Sequence, residues 1–213
     1  MEAAAVRITA KMKSAPAMIR DGHVRILQGT AAQHADSLRA MRETPVVFRR
    51  RLAAKGVRQD LVLGSSTNHP AMAHLKTTRP RGWPPGKTWT DVDGAYDHAT
   101  KTAITASDGR KTYGQSSTVA GHEYGHAVDY NAYQGQVLSR EPRFAKAYTA
   151  TLETEAFGRL SPSLKSYLTQ PGDAGPSEAF AEFFGRFYAD KGGRTGWKRD
   201  NPIMAKYFRK LER

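Results

Sequence analysis

The chain has 213 residues, 39% of them apolar and 9% aromatic, enough to bury a core and too many for a disordered or fibrous chain. It carries 33 Lys and Arg against 20 Asp and Glu, a formal net charge of +13, and no cysteine, which excludes disulfides, thiolate–zinc sites and a cysteine nucleophile. No run approaches the roughly 18–20 apolar residues that a membrane-spanning helix needs.

Met1 to Met18 alternates Ala with Arg and Lys and lacks an uninterrupted apolar stretch, so no signal peptide is expected there. Residues 1–20 read as a loosely ordered lead-in, and 21–213 as a single domain. More than half of the positive excess falls in the first 60 residues, densest at Arg49-Arg50-Arg51. A basic face attracts nucleic acid or acidic partners, or is simply solvated. No nucleic-acid motif with interleaved aromatics accompanies it.

Along the chain, Val24 to Leu27 reads as a short strand. Apolar residues at helical intervals from Ala31 to Lys55 predict a helix that Pro45 breaks or restarts. Leu61-Val62-Leu63 is a buried-strand candidate, and Arg79 to Gly86 is too rich in Pro and Gly for regular structure. Lys101 to Ala106 alternates and is β-branched, predicting a strand ended by Asp108-Gly109. From Ser116 onward the pattern turns helical, over about 117–132, 142–157, 162–169, 177–190 and 202–212, with Pro142, Pro162 and Pro202 at first-turn positions. A mixed front half before a helical back half indicates an α+β fold.

The chemistry concentrates in Gly121-His122-Glu123-Tyr124-Gly125-His126-Ala127-Val128-Asp129. His122 and His126 are four apart, hence on one helix face, where both imidazoles can bind one zinc ion. Glu123 stands beside them, placed to take a proton from zinc-bound water. Ser116 or Ser117 can cap this helix. Gly121 and Gly125 each cost about 1 kcal/mol in a helix interior, which points to a packing or site reason.

All seven histidines lie at or before position 126, so no third histidine follows the motif and a downstream carboxylate is the natural third ligand. Glu153, Glu155, Glu178 and Glu182 are the candidates. Glu153 and Glu155 border a Thr-rich face and read as exposed acids. Ser177 to Phe184 stands out, because Glu178 and Glu182 share one face while Phe180, Phe183, Phe184 and Phe187 anchor the other in a core. A carboxylate on such a helix needs a partner. Zinc supplies one for Glu178, and a ring N–H of a ligand histidine one for Glu182.

His122-Glu-Tyr-Gly-His-Ala-Val-Asp129 followed by Glu178-Ala-Phe-Ala-Glu182-Phe-Phe resembles the catalytic domain of anthrax lethal factor and the small Pro-Pro endopeptidases related to it. The resemblance runs from about residue 117 to the C-terminus. It implies a zincin-like metallopeptidase fold, in which a small mixed sheet has an edge strand before the HExxH helix and the C-terminal half is helical. It implies one Zn2+ per chain on His122, His126 and Glu178, with Glu123 as general base and Glu182 behind the ligands. A family tyrosine that donates to the oxyanion maps to Tyr167, eleven residues before Glu178, a distance lengthened by the loop Pro171 to Pro176. Tyr188, on the Glu178 helix, is a rival too far along it.

The expected function is zinc-dependent hydrolysis of peptide bonds in a protein or peptide substrate, by Glu-assisted attack of zinc-bound water. Thr102, Ala103, Ile104 and Thr105 are expected to take substrate as an added strand. The resemblance further implies a monomeric toxin or effector, secreted or delivered by a bacterium and cytoplasmic beforehand, or a domain of a larger delivered protein. The alternative is a catalytically weak zincin-like module that binds acidic partners or nucleic acid through its basic surface.

Overall fold

The computed structural model describes residues 23–80, 83, 85–107, 119–133, 135–189 and 194–213. The expected lead-in, the Asp108-Gly109 turn and the Ser116 or Ser117 cap lie outside the described residues.

Four strands, β1 (Val24–Ile26), β2 (Arg58–Leu63), β3 (Gly94–Asp97) and β4 (Thr102–Ser107), form one mixed sheet in the order β1-β2-β4-β3. β1, β2 and β4 run parallel and β3 is antiparallel to β4. The first crossover carries α1 (Ala35–Glu43) and α2 (Val46–Ala54). Pro45 divides them as expected: Thr44 before it is extended, and its hydroxyl donates to the Ala40 carbonyl.

Besides short 3-10 turns, seven further α-helices follow among the described residues: α3 (Val119–Asn131), α4 (Pro142–Leu152), α5 (Glu155–Gly158), α6 (Pro162–Leu168), α7 (Ala174–Tyr188), α8 (Arg194–Asp200) and α9 (Pro202–Leu211). Pro142, Pro162 and Pro202 each open a helix, as fixed φ and a missing N–H favour. The helix expected over 142–157 is two, because the Thr154 side chain accepts from the Phe157 N–H and starts α5 anew.

α7 is the centre of the core. Phe180, Phe183, Phe184 and Phe187 are fully buried with Phe48, Phe144 and Phe208. Phe180 meets Phe208 at 5.2 Å and Phe184 meets Phe48 at 5.3 Å, both edge to face, a preferred geometry for aromatic pairs. On its opposite side α7 touches α3 backbone to backbone. A Cβ built on Gly125 would stand 2.7 Å from Ala181 Cα, and one on Gly185 would stand 3.1 Å from the His122 nitrogen. That contact is the packing reason for Gly125.

β2 is longer than its apolar triplet because its polar residues are paired. Gln59 donates to Thr105 Oγ1 at 2.7 Å. Asp60, fully buried, accepts from Arg25 Nε at 2.7 Å and from His69 Nε2 at 2.9 Å. The His69 proton sits on Nε2, because Nδ1 accepts the Ala71 N–H. Burial alone would raise the Asp60 carboxyl, but the hydrogen bonds from Arg25 and His69 outweigh it and hold the pKa below the ordinary range.

Candidate active site

His122 and His126 project from one face of α3 toward α7. Each Nε2 lies 3.2 Å from Glu178 Oε2, and one ligand atom from each of the three residues falls within 4.8 Å of the others. Ligands at about 2.0–2.2 Å from a tetrahedral ion stand roughly 3.4 Å apart. Two of the three separations are close to that, so the group could hold one small divalent cation, and among the described residues it is the only such group of three or more ligands.

The carboxylates behind the ligands are held from both sides. Glu182 Oε2 is 3.2 Å from His122 Nδ1, and Glu182 Oε1 accepts from Arg186 Nε at 2.6 Å. The Arg186 guanidinium covers the Trp197 ring at 4.3 Å. Arg186 was not singled out from sequence, although its acid–base spacing of four from Glu182 is a readable signal. Burial alone would raise the Glu178 carboxyl, but the hydrogen bonds to His122 and His126 push it far below the usual range.

Glu123 is buried beside the two histidines. Burial raises its pKa, against the pull of His122 and His126, which suits a group that must accept a proton near neutrality. Its side chain lies against β3, where a Cβ on Gly94 would come within 2.7 Å of Glu123 Oε1.

Tyr167 reaches the site. Its hydroxyl donates to Glu178 Oε2 and stands 3.2 Å from His122 Nε2. The eleven-residue interval is taken up by a tight reversal, with Gly172 at φ 67° and the Gly175 N–H donating to the Gln170 carbonyl at 3.2 Å. α7 begins at Ala174, so half of the expected loop is the first turn of the Glu178 helix. Tyr188 points elsewhere, to Glu212 at 2.6 Å. Glu153 is exposed, and exposed Glu155 pairs with Arg159.

The strand assigned to substrate is corrected. Thr102, Ala103, Ile104 and Thr105 belong to β4, which pairs with β2 on one side and β3 on the other and is buried throughout these four residues. Their backbone groups are committed to the sheet and open no edge to a peptide. β3 is the outer strand beside Glu123, and no strand lies beyond it among the described residues.

An HExxH helix, a carboxylate from a following helix and an outer strand along the first helix together define a metallopeptidase-type site. The chain belongs to the anthrax toxin lethal factor family: the family described as "Anthrax toxin lethal factor, N- and C-terminal domain" matches residues 31–211. It is 29% identical over 163 residues to a Pro-Pro endopeptidase of Paenibacillus alvei, covering 75% of this chain and 68% of the relative. A solved structure of the Pro-Pro endopeptidase from Paenibacillus alvei matches with a TM-score of 0.73 at 26% identity, covering 90% of this chain and 98% of that one. The fold is thus the zincin-like α+β fold of these peptidases, and the chain is a peptidase acting on protein or peptide.

Proposed function

We propose that this chain is a zinc-dependent metalloendopeptidase that cleaves prolyl-rich peptides. The observation that carries the reading is the convergence of His122, His126 and Glu178 with the Tyr167 hydroxyl and the Glu123 carboxylate in one place. His122, His126 and Glu178 would hold the ion. When bound, zinc supplies Lewis acidity, polarising the peptide carbonyl and acidifying a water.

This chain's own residues do the rest. Glu123 takes the proton of the attacking water and hands it to the leaving amine. The Tyr167 hydroxyl, which donates to Glu178 Oε2, would turn its proton to the oxygen on which charge develops. Glu182, held by Arg186, fixes the His122 ring. The outer edge of β3, beyond which no strand lies among the described residues, would align the peptide across Glu123 through backbone hydrogen bonds. A Pro-Pro specificity comes from the relative's name. Action outside the producing cell, as a delivered toxin or effector, belongs to the same proposal.

The test is a peptide library with Pro-Pro at its centre, digested by zinc-loaded chain and by Glu123→Gln. Gln is nearly isosteric but accepts no proton, so the variant retains zinc while cleavage falls by about 10²–10⁴. Absence of cleavage by the zinc-loaded wild type, or variant turnover within tenfold of it, overturns the reading.

A further inference from the structure

Ser177, the residue before Glu178, is buried against α3 with three polar neighbours. Its Oγ lies 3.4 Å from His126 Nδ1, 3.2 Å from Asp129 Oδ2 and 3.3 Å from Tyr130 Oη. Asp129 is itself fully buried and anchored, for its Oδ1 accepts the Ser139 backbone N–H at 2.6 Å. All three neighbours of Ser177 come from one stretch of α3, residues 126–130.

The protons can be assigned by counting. A hydroxyl has one proton to give and two lone pairs to receive with, and a carboxylate only receives. The Ser177 proton therefore goes to Asp129 Oδ2. Two lone pairs remain for two donors, and the two remaining neighbours are the His126 ring and the Tyr130 hydroxyl. Tyr130 supplies an O–H, and His126 must supply its Nδ1–H.

We infer that Ser177, anchored by Asp129, is a positioning residue that locks His126 with its proton on Nδ1, so that Nε2 offers its lone pair to the metal. The two histidines are thus held differently. His122 leans directly on a carboxylate, Glu182. His126 reaches its carboxylate, Asp129, through a hydroxyl, which transmits less charge. The inference rests on the zinc reading above. Partners behind a ligand histidine are typically worth about 10–100-fold in metal affinity.

Zinc dissociation constants are measured by competition with a chromophoric chelator for wild type, Ser177→Ala and Ser177→Thr, alongside thermal melting of the metal-stripped proteins. Ser177→Ala is expected to bind zinc about 10–100-fold more weakly, while the stripped protein still melts in one cooperative transition, lowered by loss of the hydroxyl that Asp129 receives from. Ser177→Thr keeps the hydroxyl and stays within about threefold of wild type, a small part of that loss. Equal weakening in both variants, or Ser177→Ala within twofold of wild type, overturns the inference. The unaltered protein gives a second reading that does not depend on any variant folding. In its zinc-loaded form, ring N–H protons of both His122 and His126 should exchange slowly in NMR, and a slow proton from His122 alone overturns the inference. Failure of the wild type to bind zinc at all sinks the zinc reading itself, whereas tight zinc binding insensitive to Ser177 sinks only this inference.

Discussion

Gly94 on β3 lies against the carboxylate arm of Glu123: a Cβ at this position would stand 2.7 Å from Glu123 Oε1, 2.8 Å from its Cγ and 2.3 Å from Val119 Cγ1. The outer strand is therefore a wall of the site, and its glycine is the space in which Glu123 sits. Gly94→Ala must displace both the Glu123 arm and the Val119 side chain, since all three contacts are side-chain atoms of α3. The expected result is a folded protein with undiminished zinc content and peptide cleavage reduced about 10²-fold, the usual cost of a misplacement near 1 Å. Cleavage within threefold of wild type means that Glu123 relaxes without moving its oxygens.

Glu178 is the only carboxylate within reach of both histidine Nε2 atoms among the described residues. Glu178→Ala removes one of three ligands and should abolish stoichiometric zinc after dialysis, as read by metal analysis. Zinc content equal to that of wild type would place the third ligand elsewhere.

Tyr167→Phe isolates one hydroxyl. If that hydroxyl donates to the oxyanion, kcat falls by roughly 10–10³ while KM stays nearly constant, because the bond strengthens only in the transition state. Its contact with Glu178 adds a second observable: zinc affinity should change by less than kcat does. A rise in KM with kcat preserved would assign Tyr167 to substrate binding alone.

Asp60, paired with Arg25 and His69, gives the sheet an acid-sensitive element far from the metal ligands in sequence. Its pKa is lower in the fold than in the unfolded chain. Its contribution to stability is therefore complete above the unfolded value, about 3.9, and is lost as pH falls through the folded value. Asp60→Asn should lower stability at pH 7 by about 1–3 kcal/mol, the cost of a buried charged hydrogen bond. The variant should also lose part of the wild-type decline below about pH 4. Circular dichroism melts between pH 2 and pH 7 would show both, and parallel curves for the two proteins would refute the assignment.

The site was more legible in the sequence than the sheet that supports it. Two histidines four apart and two glutamates four apart are spacings that helix geometry converts directly into shared faces. Exclusion of later histidines and of cysteine left four carboxylates, and the phenylalanine-backed segment 177–184 together with the family resemblance singled out Glu178. β3 was illegible: Gly-Ala-Tyr-Asp has no alternating apolar pattern, and its glycine is there for Glu123 rather than for strand propensity. The polar start of β2 hid the first half of that strand, because Gln59 and Asp60 are buried with partners 9 to 46 residues away. Thr102 and Thr105 suggested a half-exposed strand for the same reason. Their hydroxyls are satisfied inside the protein, so a polar letter marked a buried position. The serine behind His126 gave no signal, since its three partners meet it only through tertiary contact.

The backbone contact of α3 with α7, at Gly125 on Ala181 and at Gly185 on His122, places the ligands before any ion arrives. Many small metalloproteins are folded by their metal and collapse without it. Here the helix spacing is set by main chain on main chain, with a wall of phenylalanines behind it. On the zinc reading, the ligands would keep this spacing with or without the ion, which could be withdrawn and replaced without a folding event. A mould of two imidazoles and a carboxylate accepts several first-row divalent ions of similar size, cobalt among them, and affinity alone does not choose between them in the cell. On that reading, the ion carried would be set by the metal supply where the chain is loaded.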